Sequence, residues 1–152
     1  MYLFVSLLSA FILADAQPSS QSAALRIVVI EGEDAINVIQ QKTAVAPVIE
    51  VRDRNNLPVS GVAVTFSVGG QSASFGGLST LTVTTNTAGQ AAAVGLTPTA
   101  AGAIQINATA LVQGQALTAT ITQTNVLTAA QAAGAASASA SGASGTAGSG
   151  GT

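Results

Sequence analysis

The feature that most constrains the fold is a two-residue alternation of apolar and polar side chains. In the clearest run, residues 62–68, Val or Phe occupies every second position. The same alternation is present in residues 49–52, 80–84, 104–107 and 117–122. Side chains of a β-strand point alternately to its two faces, so this period predicts strands with one buried face. The runs are rich in Val, Ile and Thr, which suit a half-buried pleated surface.

Short turn signals separate these runs. Clusters of Gly, Asn, Asp, Gln or Pro occur at residues 53–58, 69–70, 76–77, 86–89, 98–102 and 113–115. Seven or more short strands at this spacing predict an all-β fold, either a sandwich or a barrel. Residues 91–96 fit either face of a strand, and Gly95 within them suggests a bulge or an edge.

Composition narrows the chemistry. The chain has no His and no Cys, which removes the commonest general base, the thiol nucleophile, Cys/His zinc sites and disulfides. Its four basic residues stand against six acidic ones, for a formal charge of −2. Because a nucleic-acid binder needs a basic surface to neutralise phosphates, we expect no nucleic-acid partner.

The N-terminus is typical of an export signal. Residues 2–14 form an apolar run that is too short to cross about 30 Å of hydrocarbon as a helix. Ala14-Asp15-Ala16 then provides small residues at a cleavage site, which predicts a signal peptide over residues 1–16 and a mature start at Gln17. No Lys or Arg precedes Arg26, so an uncleaved anchor or a buried strand stays open. We expect a secreted or cell-surface protein with no transmembrane span in its mature chain.

The mature chain divides into three parts. A polar leader covers residues 17–24, the β domain covers residues 25–126, and a low-complexity tail covers residues 127–152. From Thr128 onward every residue except Gln131 is Ala, Gly, Ser or Thr, which predicts a disordered linker typical of a junction between domains. The alternative is a weak helix over residues 129–140 with Thr128 as its N-cap.

Three segments of the β domain carry a family resemblance. NLPVSGVAVTF at residues 56–66 is followed by TNTAGQA at 85–91 and TAAG at 99–102. In this order they resemble the bacterial immunoglobulin-like domain of the invasin/intimin type, group 1, over residues 27–124. The resemblance implies an immunoglobulin-like antiparallel β-sandwich, used in tandem rods and adhesive stalks at bacterial surfaces. The chain holds one copy and no outer-membrane barrel, so the receptor-binding role of those adhesins does not carry over.

Acidic side chains are the candidate functional residues. Weak candidates for calcium ligands are Glu31, Glu33, Asp34, Asp53 and Asn55. Their spacing matches no EF-hand loop, and Arg52 and Arg54 flank one of them, so an ordinary solvated turn is the alternative. The sequence indicates no catalytic residue and no cofactor, because Ser has no His to activate it and no paired carboxylates are placed in a cleft.

These observations predict a non-catalytic exported structural or adhesion module, a spacer or display domain at the bacterial surface. Its partners would be neighbouring domains, surface proteins or glycans. A stand-alone secreted module that binds glycan or protein through its loops is one alternative, although Phe66 and Phe75 are the only aromatic residues after the signal. A fibre subunit that self-associates by exchange of edge strands is another.

Overall fold

The computed structural model describes residues 24–141. The predicted signal peptide at residues 1–16, the polar leader before Ala24 and the tail from Gly142 onward lie outside the described residues.

Strands dominate the described chain. In chain order the elements are β1 (Arg26–Glu31), β2 (Ile36–Val38), β3 (Val48–Arg52), β4 (Ala63–Val68), β5 (Ala73–Phe75), β6 (Thr80–Thr84), β7 (Gln90–Ala92), β8 (Leu96–Pro98), β9 (Gly102–Val112), β10 (Gln115–Val126) and α1 (Ala129–Ser141). The prediction of a predominantly β fold is therefore confirmed.

The strands form three sheets. One has three strands in the order β1-β3-β7, one has five in the order β2-β10-β9-β4-β6, and one joins β5 to β8. Neighbouring strands are antiparallel, except that β2 runs parallel to β10. The expectation of a wholly antiparallel arrangement is wrong at this pair. The reason is the path of the chain. β1 and β10 run in the same direction, and after β1 the chain continues in that direction through a short loop into β2.

All three sheets contribute to one apolar core. Its fully buried members include Ile49 of β3, Phe66 of β4, Ile106 of β9 and Ile121 of β10. Phe75 of β5 belongs to the same cluster and is 5 % exposed. The core consists of Val, Ile, Leu and Ala with these two rings. Burial of this apolar surface is the main force that holds the sheets together.

Residues 91–96 connect two sheets. β7 pairs with β3 in the three-stranded sheet, whereas β8 pairs with β5. Val94 and Gly95 form the turn between them. The segment therefore contains two short strands joined by a turn, and both are edge strands, as one of the two sequence alternatives had it.

Gly89 joins two of the segments that carry the family resemblance. Its φ is +71°, and a Cβ there would lie 2.8 Å from Cβ of Pro58 and 2.9 Å from the carbonyl oxygen of Val51. The Gly89 carbonyl oxygen accepts a 2.8 Å hydrogen bond from the Val51 N–H. Glycine is required here both for its backbone angle and for this close approach.

The tail begins with a capped helix. The Thr128 hydroxyl accepts a hydrogen bond from the Gln131 N–H at 3.2 Å. The Gln131 side-chain oxygen in turn accepts hydrogen bonds from the N–H groups of Leu127 and Thr128, at 2.9 and 3.3 Å. This reciprocal capping box begins α1. Over Ala129–Ser141 the structure therefore has a helix, which was the alternative to a disordered linker. Within residues 24–141, no helix is long and apolar enough to cross a membrane.

Candidate functional site

The β domain has two distinct ends, which follow from the strand registers. Arg26 pairs with Arg52, and the following loop returns through a hydrogen bond from the Val59 N–H to the Val51 carbonyl oxygen at 2.9 Å. Val64 of the next strand pairs with Ala110, close to the β9–β10 turn. The start of β1, the loop at residues 53–58 and the β9–β10 turn therefore share one end, here called the entry end.

The opposite end, here called the exit end, is where β1 and β10 finish. Glu31 pairs with Val48 there, and Val126 pairs with Val38. β10 has 12 residues, so it extends about 36 Å from the entry end to the exit end. The described chain thus enters the strands at one end and leaves them at the other.

Charged side chains divide between the two ends. The entry end carries Arg26, Arg52 and Arg54 with Glu50 and Asp53. The exit end carries Glu31, Glu33 and Asp34 with Lys42. Counted over residues 24–141, the entry end is therefore net positive and the exit end net negative.

The weak candidate metal ligands are divided in the same way. Glu31, Glu33 and Asp34 lie at the exit end, whereas Asp53 and Asn55 lie at the entry end. The length of β1 separates the two groups by about 16 Å. In the part of the chain that the structure describes, no three acidic side chains form a group able to hold a metal ion.

The carboxylate of Asp53 is engaged in its own loop. Its Oδ1 accepts hydrogen bonds from the N–H groups of Asn55 at 2.8 Å and Leu57 at 2.9 Å. This arrangement is an Asx turn, in which a short acidic side chain replaces a backbone acceptor. At the other end, the Glu33 carboxylate accepts a long hydrogen bond, 3.3 Å, from the Thr122 N–H. The two carboxylates therefore organise loops at opposite ends.

An ion pair stabilises the entry end. Arg52 Nε lies 2.8 Å from Glu50 Oε1, and Nη2 lies 3.3 Å from Oε2. The hydrogen bond to Glu50 and the negative charge of that carboxylate raise the pKa of Arg52 above its ordinary value, against a smaller opposing effect of desolvation. Arg52 and Arg26 both donate to Oδ1 of Asn56, at 3.4 and 2.5 Å. The start of β1 is thereby attached to the loop at residues 53–58.

Three buried amides form the most unusual feature of the exit end. The amide cluster consists of Asn37, Gln123 and Asn125, whose exposed fractions are 1, 0 and 2 %. Asn37 Nδ2 donates to Gln123 Oε1 at 2.8 Å and to Asn125 Oδ1 at 3.1 Å. These bonds connect β2 to the end of β10.

The amide cluster is also bonded to four loop segments. Gln123 Nε2 donates to the carbonyl oxygens of Gly32 at 2.9 Å and Val45 at 3.1 Å. Asn125 Nδ2 donates to the carbonyl oxygens of Ser72 at 2.7 Å and Ala100 at 3.0 Å, and Asn37 Oδ1 accepts from the Val45 N–H at 3.0 Å.

Every amide hydrogen and every amide oxygen of the cluster therefore has a partner. A buried polar network satisfied in this way is rigid, because breaking any bond leaves a buried group unpaired.

The sequence carries a signal for this cluster, although none of its three amides was among the predicted site residues. Gln123 and Asn125 continue the spacing of the inward-facing Leu117 and Ile121 along β10. Two amides at inward positions of a strand require buried partners. Asn37 could not be identified in the same way, because β2 is too short to show a period.

Two shallow surface depressions are present in the described chain. One, of about 300 Å³, is lined by residues that include Ser74, Leu78 and Thr99. The other, of about 370 Å³, lies over the outer face of the five-stranded sheet around Thr65, Thr109 and Leu111. Their linings contain no titratable side chain and no aromatic ring for stacking on a sugar.

Comparison with protein-family models and with curated proteins finds no match to this sequence.

Proposed function

We propose that this chain is a non-catalytic, exported structural module that acts as a spacer or display domain at a bacterial surface. The observation that carries this proposal is the separation of the two ends. A domain whose chain enters at one end and leaves at the other adds its own length, about 36 Å along β10, between whatever precedes it and whatever follows it.

The fold proposed with this function is an immunoglobulin-like β-sandwich of the invasin/intimin type, group 1. A three-stranded and a five-stranded sheet that share one core are consistent with two layers packed face to face. The contact of Gly89 with Pro58 also supports it, since these residues belong to two of the segments that carry the resemblance. The parallel β2–β10 pair is a departure from a purely antiparallel sandwich.

Stiffness along the axis supports a spacing role. β9 and β10, with 11 and 12 residues, form a continuous hairpin from the entry end to the exit end. The amide cluster holds the exit end together where the chain leaves β10, and the capped helix α1 begins three residues after Val126. A load applied to the tail would reach a hydrogen-bonded end of the domain.

The opposite charges of the two ends favour a head-to-tail arrangement of similar modules. A net positive entry end and a net negative exit end attract each other when similar modules follow head to tail. Exposed charge pairs contribute weakly and are screened by salt, so they would orient neighbours more than they would bind them.

The first experiment tests localisation. Intact source cells, the culture medium and the cytoplasmic fraction are probed with an antibody against residues 25–126, with and without external protease. We expect a cell-bound band that external protease removes. A band in the medium would contradict the spacer role and favour a stand-alone secreted binding module, and a protected cytoplasmic band would contradict export.

The second experiment tests the geometry. The chain has no Cys, so pairs of introduced cysteines can carry spin labels at chosen sites. With Ala24→Cys and Leu127→Cys we expect a distance of about 35–40 Å, from the rise of β10. The control pair, Ala24→Cys with Gln113→Cys, places both labels at the entry end and should give a clearly shorter distance. Equal distances for the two pairs would exclude the proposed spacing.

A further inference from the structure

Among the described strands that lie at a sheet edge along their whole length, β6 is the longest that is regular and carries no charge. It is the outer strand of the five-stranded sheet and reads Thr80-Leu81-Thr82-Val83-Thr84. The outer strand β1 carries Arg26 and Glu31 and has a register irregularity, while β2 and β7 are three residues long. Charges, irregularities and shortness are the usual devices that prevent edges from pairing, and β6 has none of them.

The backbone of β6 presents an ordered row of unpaired groups. Hydrogen bonds from the Val68 N–H to the Ser79 carbonyl oxygen and from the Thr85 N–H to the Val62 carbonyl oxygen bracket the strand. Because backbone groups of an antiparallel strand point alternately to either side, those of Leu81 and Val83 point to β4. The N–H and C=O groups of Thr80, Thr82 and Thr84 point away from the sheet, and no partner for them is present among the described residues.

We infer that β6 is a self-association surface whose partner is β6 of a second copy of this chain. The strand is nearly palindromic, so a twofold axis at Thr82 places Thr82 opposite its copy and Thr80 opposite Thr84. In that antiparallel register the outward N–H and C=O groups of all three threonines would form hydrogen bonds across the axis. The two five-stranded sheets would become one continuous sheet.

Side chains agree with the same register. Leu81 and Val83 are half-buried and pack against the core, and Leu81 of one copy would lie opposite Val83 of the other on the inward face. On the outward face the Thr65 and Thr82 hydroxyls already hydrogen-bond at 3.0 Å, and the threonines of a second copy would extend this row. No like charges meet across the axis, since β6 carries none.

Access to the edge is consistent with this pairing. The side chains of Thr80, Thr82 and Thr84 are exposed. The bridge between Phe75 and Leu78 ends before β6 begins. The pairing joins domains side by side and does not depend on the exported spacer role, so either proposal can fail without the other.

Sedimentation of the full chain over a range of concentrations tests the pairing. We expect a monomer–dimer equilibrium that Thr82→Lys weakens about tenfold or more, because two like charges would meet at the axis. Thr82→Pro should weaken it as well by removing an outward N–H, which the monomer can lose because that group faces solvent. Thr109→Lys, at an exposed position of β9 that is paired on both sides, is the matched control and should leave association unchanged.

Two results would overturn the inference. One is a monomer at every concentration tested. The other is association that both Thr82 variants leave unchanged, which would assign it to another surface such as the apolar residues 2–14.

Cysteine cross-linking tests the register. Thr80→Cys mixed with Thr84→Cys should form disulfide-linked dimers much faster than either variant alone, because the axis brings these two positions together. Equal rates for the mixture and the single variants would exclude an antiparallel pairing centred on Thr82.

Discussion

The parts of β10 before and after Thr122 bury their inward side chains by different chemistry. In the first part Leu117 and Ile121 lie in the apolar core, at 5 and 0 % exposed. In the second part Gln123 and Asn125 are equally buried but are hydrogen-bonded to specific partners. Apolar burial is non-directional, whereas an amide is satisfied only by partners at defined positions. The core thus holds the sheets together, and the amide cluster decides where the exit-end loops attach.

The largest expected effect comes from a charge placed in the apolar core. Val64→Asp puts a carboxylate at a position that is 0 % exposed and surrounded by the core. A carboxyl group buried without a partner, whether charged or protonated, has a cost comparable with the roughly 5–15 kcal/mol that stabilises a domain of this kind. We expect no cooperative thermal transition by circular dichroism. Ala63→Asp, on the exposed face of the same strand, is the control, and unfolding of both variants alike would contradict the assigned faces.

Two leucine substitutions compare how much each of these two parts of β10 contributes to stability. Gln123→Leu leaves the Val45 carbonyl oxygen and one Asn37 N–H without partners, and it leaves the Gly32 carbonyl oxygen with only a long 3.5 Å hydrogen bond from the Ala35 N–H. Each buried unpaired group costs about 1–3 kcal/mol, so the free energy of unfolding should fall by about 3 kcal/mol or more. Ile121→Leu, two residues earlier, should cost less than about 1.5 kcal/mol. Denaturant titration measures the free energy of unfolding of both variants. A smaller loss for Gln123→Leu than for Ile121→Leu would show that the amide cluster contributes little to stability.

A pair of glycine substitutions separates close packing from backbone angle at the exit end. Gly32 and Gly77 have similar φ angles, +97° and +91°. A Cβ on Gly32 would lie 2.9 Å from Cα of Pro47 and 3.0 Å from Nε2 of Gln123, whereas nothing lies within 4 Å at Gly77.

Gly77→Ala should therefore cost about 1 kcal/mol through the backbone angle alone. Gly32→Ala should cost clearly more, because it also displaces Pro47 or the Gln123 amide. Thermal melting of both variants checks this, and equal losses would mean that the contact is easily relieved.

The smallest expected effect concerns the candidate metal ligands. Calcium should leave the melting temperature unchanged, because the carboxylates lie at opposite ends and Asp53 already accepts two backbone hydrogen bonds. Asp53→Ala should lower stability by about 1 kcal/mol through loss of the Asx turn, with or without calcium. A calcium-dependent rise in melting temperature that Asp53→Ala removes would overturn this assignment.

Local patterns in the sequence predicted the strands better than the site. The run at residues 62–68 became β4 over Ala63–Val68, and Thr128 caps α1 as in the helical alternative for the tail. β1 and β2 were not marked by alternation, because RIVVIE is continuously apolar over most of its length and INV is too short. The candidate ligands were considered together as possible ligands of one calcium site, but the β1–β3 register places them at opposite ends.

What the sequence by itself determined is the class of structure and the chemistry available to it. Its period of two required strands with one buried face, and its lack of His and Cys excluded disulfides and Cys/His metal sites as a means of stabilising the fold. These are short-range or compositional properties, so they can be derived from neighbouring residues.

The tertiary structure alone decided which strands pair, why β2 runs parallel to β10, and which ends carry which charges. It also brought Asn37 to Gln123 across 86 positions of the chain. The physical reason is that strand pairing depends on backbone groups, and every residue except proline has the same N–H and C=O. Side-chain identity therefore cannot specify the partner, and only the packed arrangement of the sheets selects it. The two amides bond through their side chains, but they meet only because the paired strands bring distant positions together.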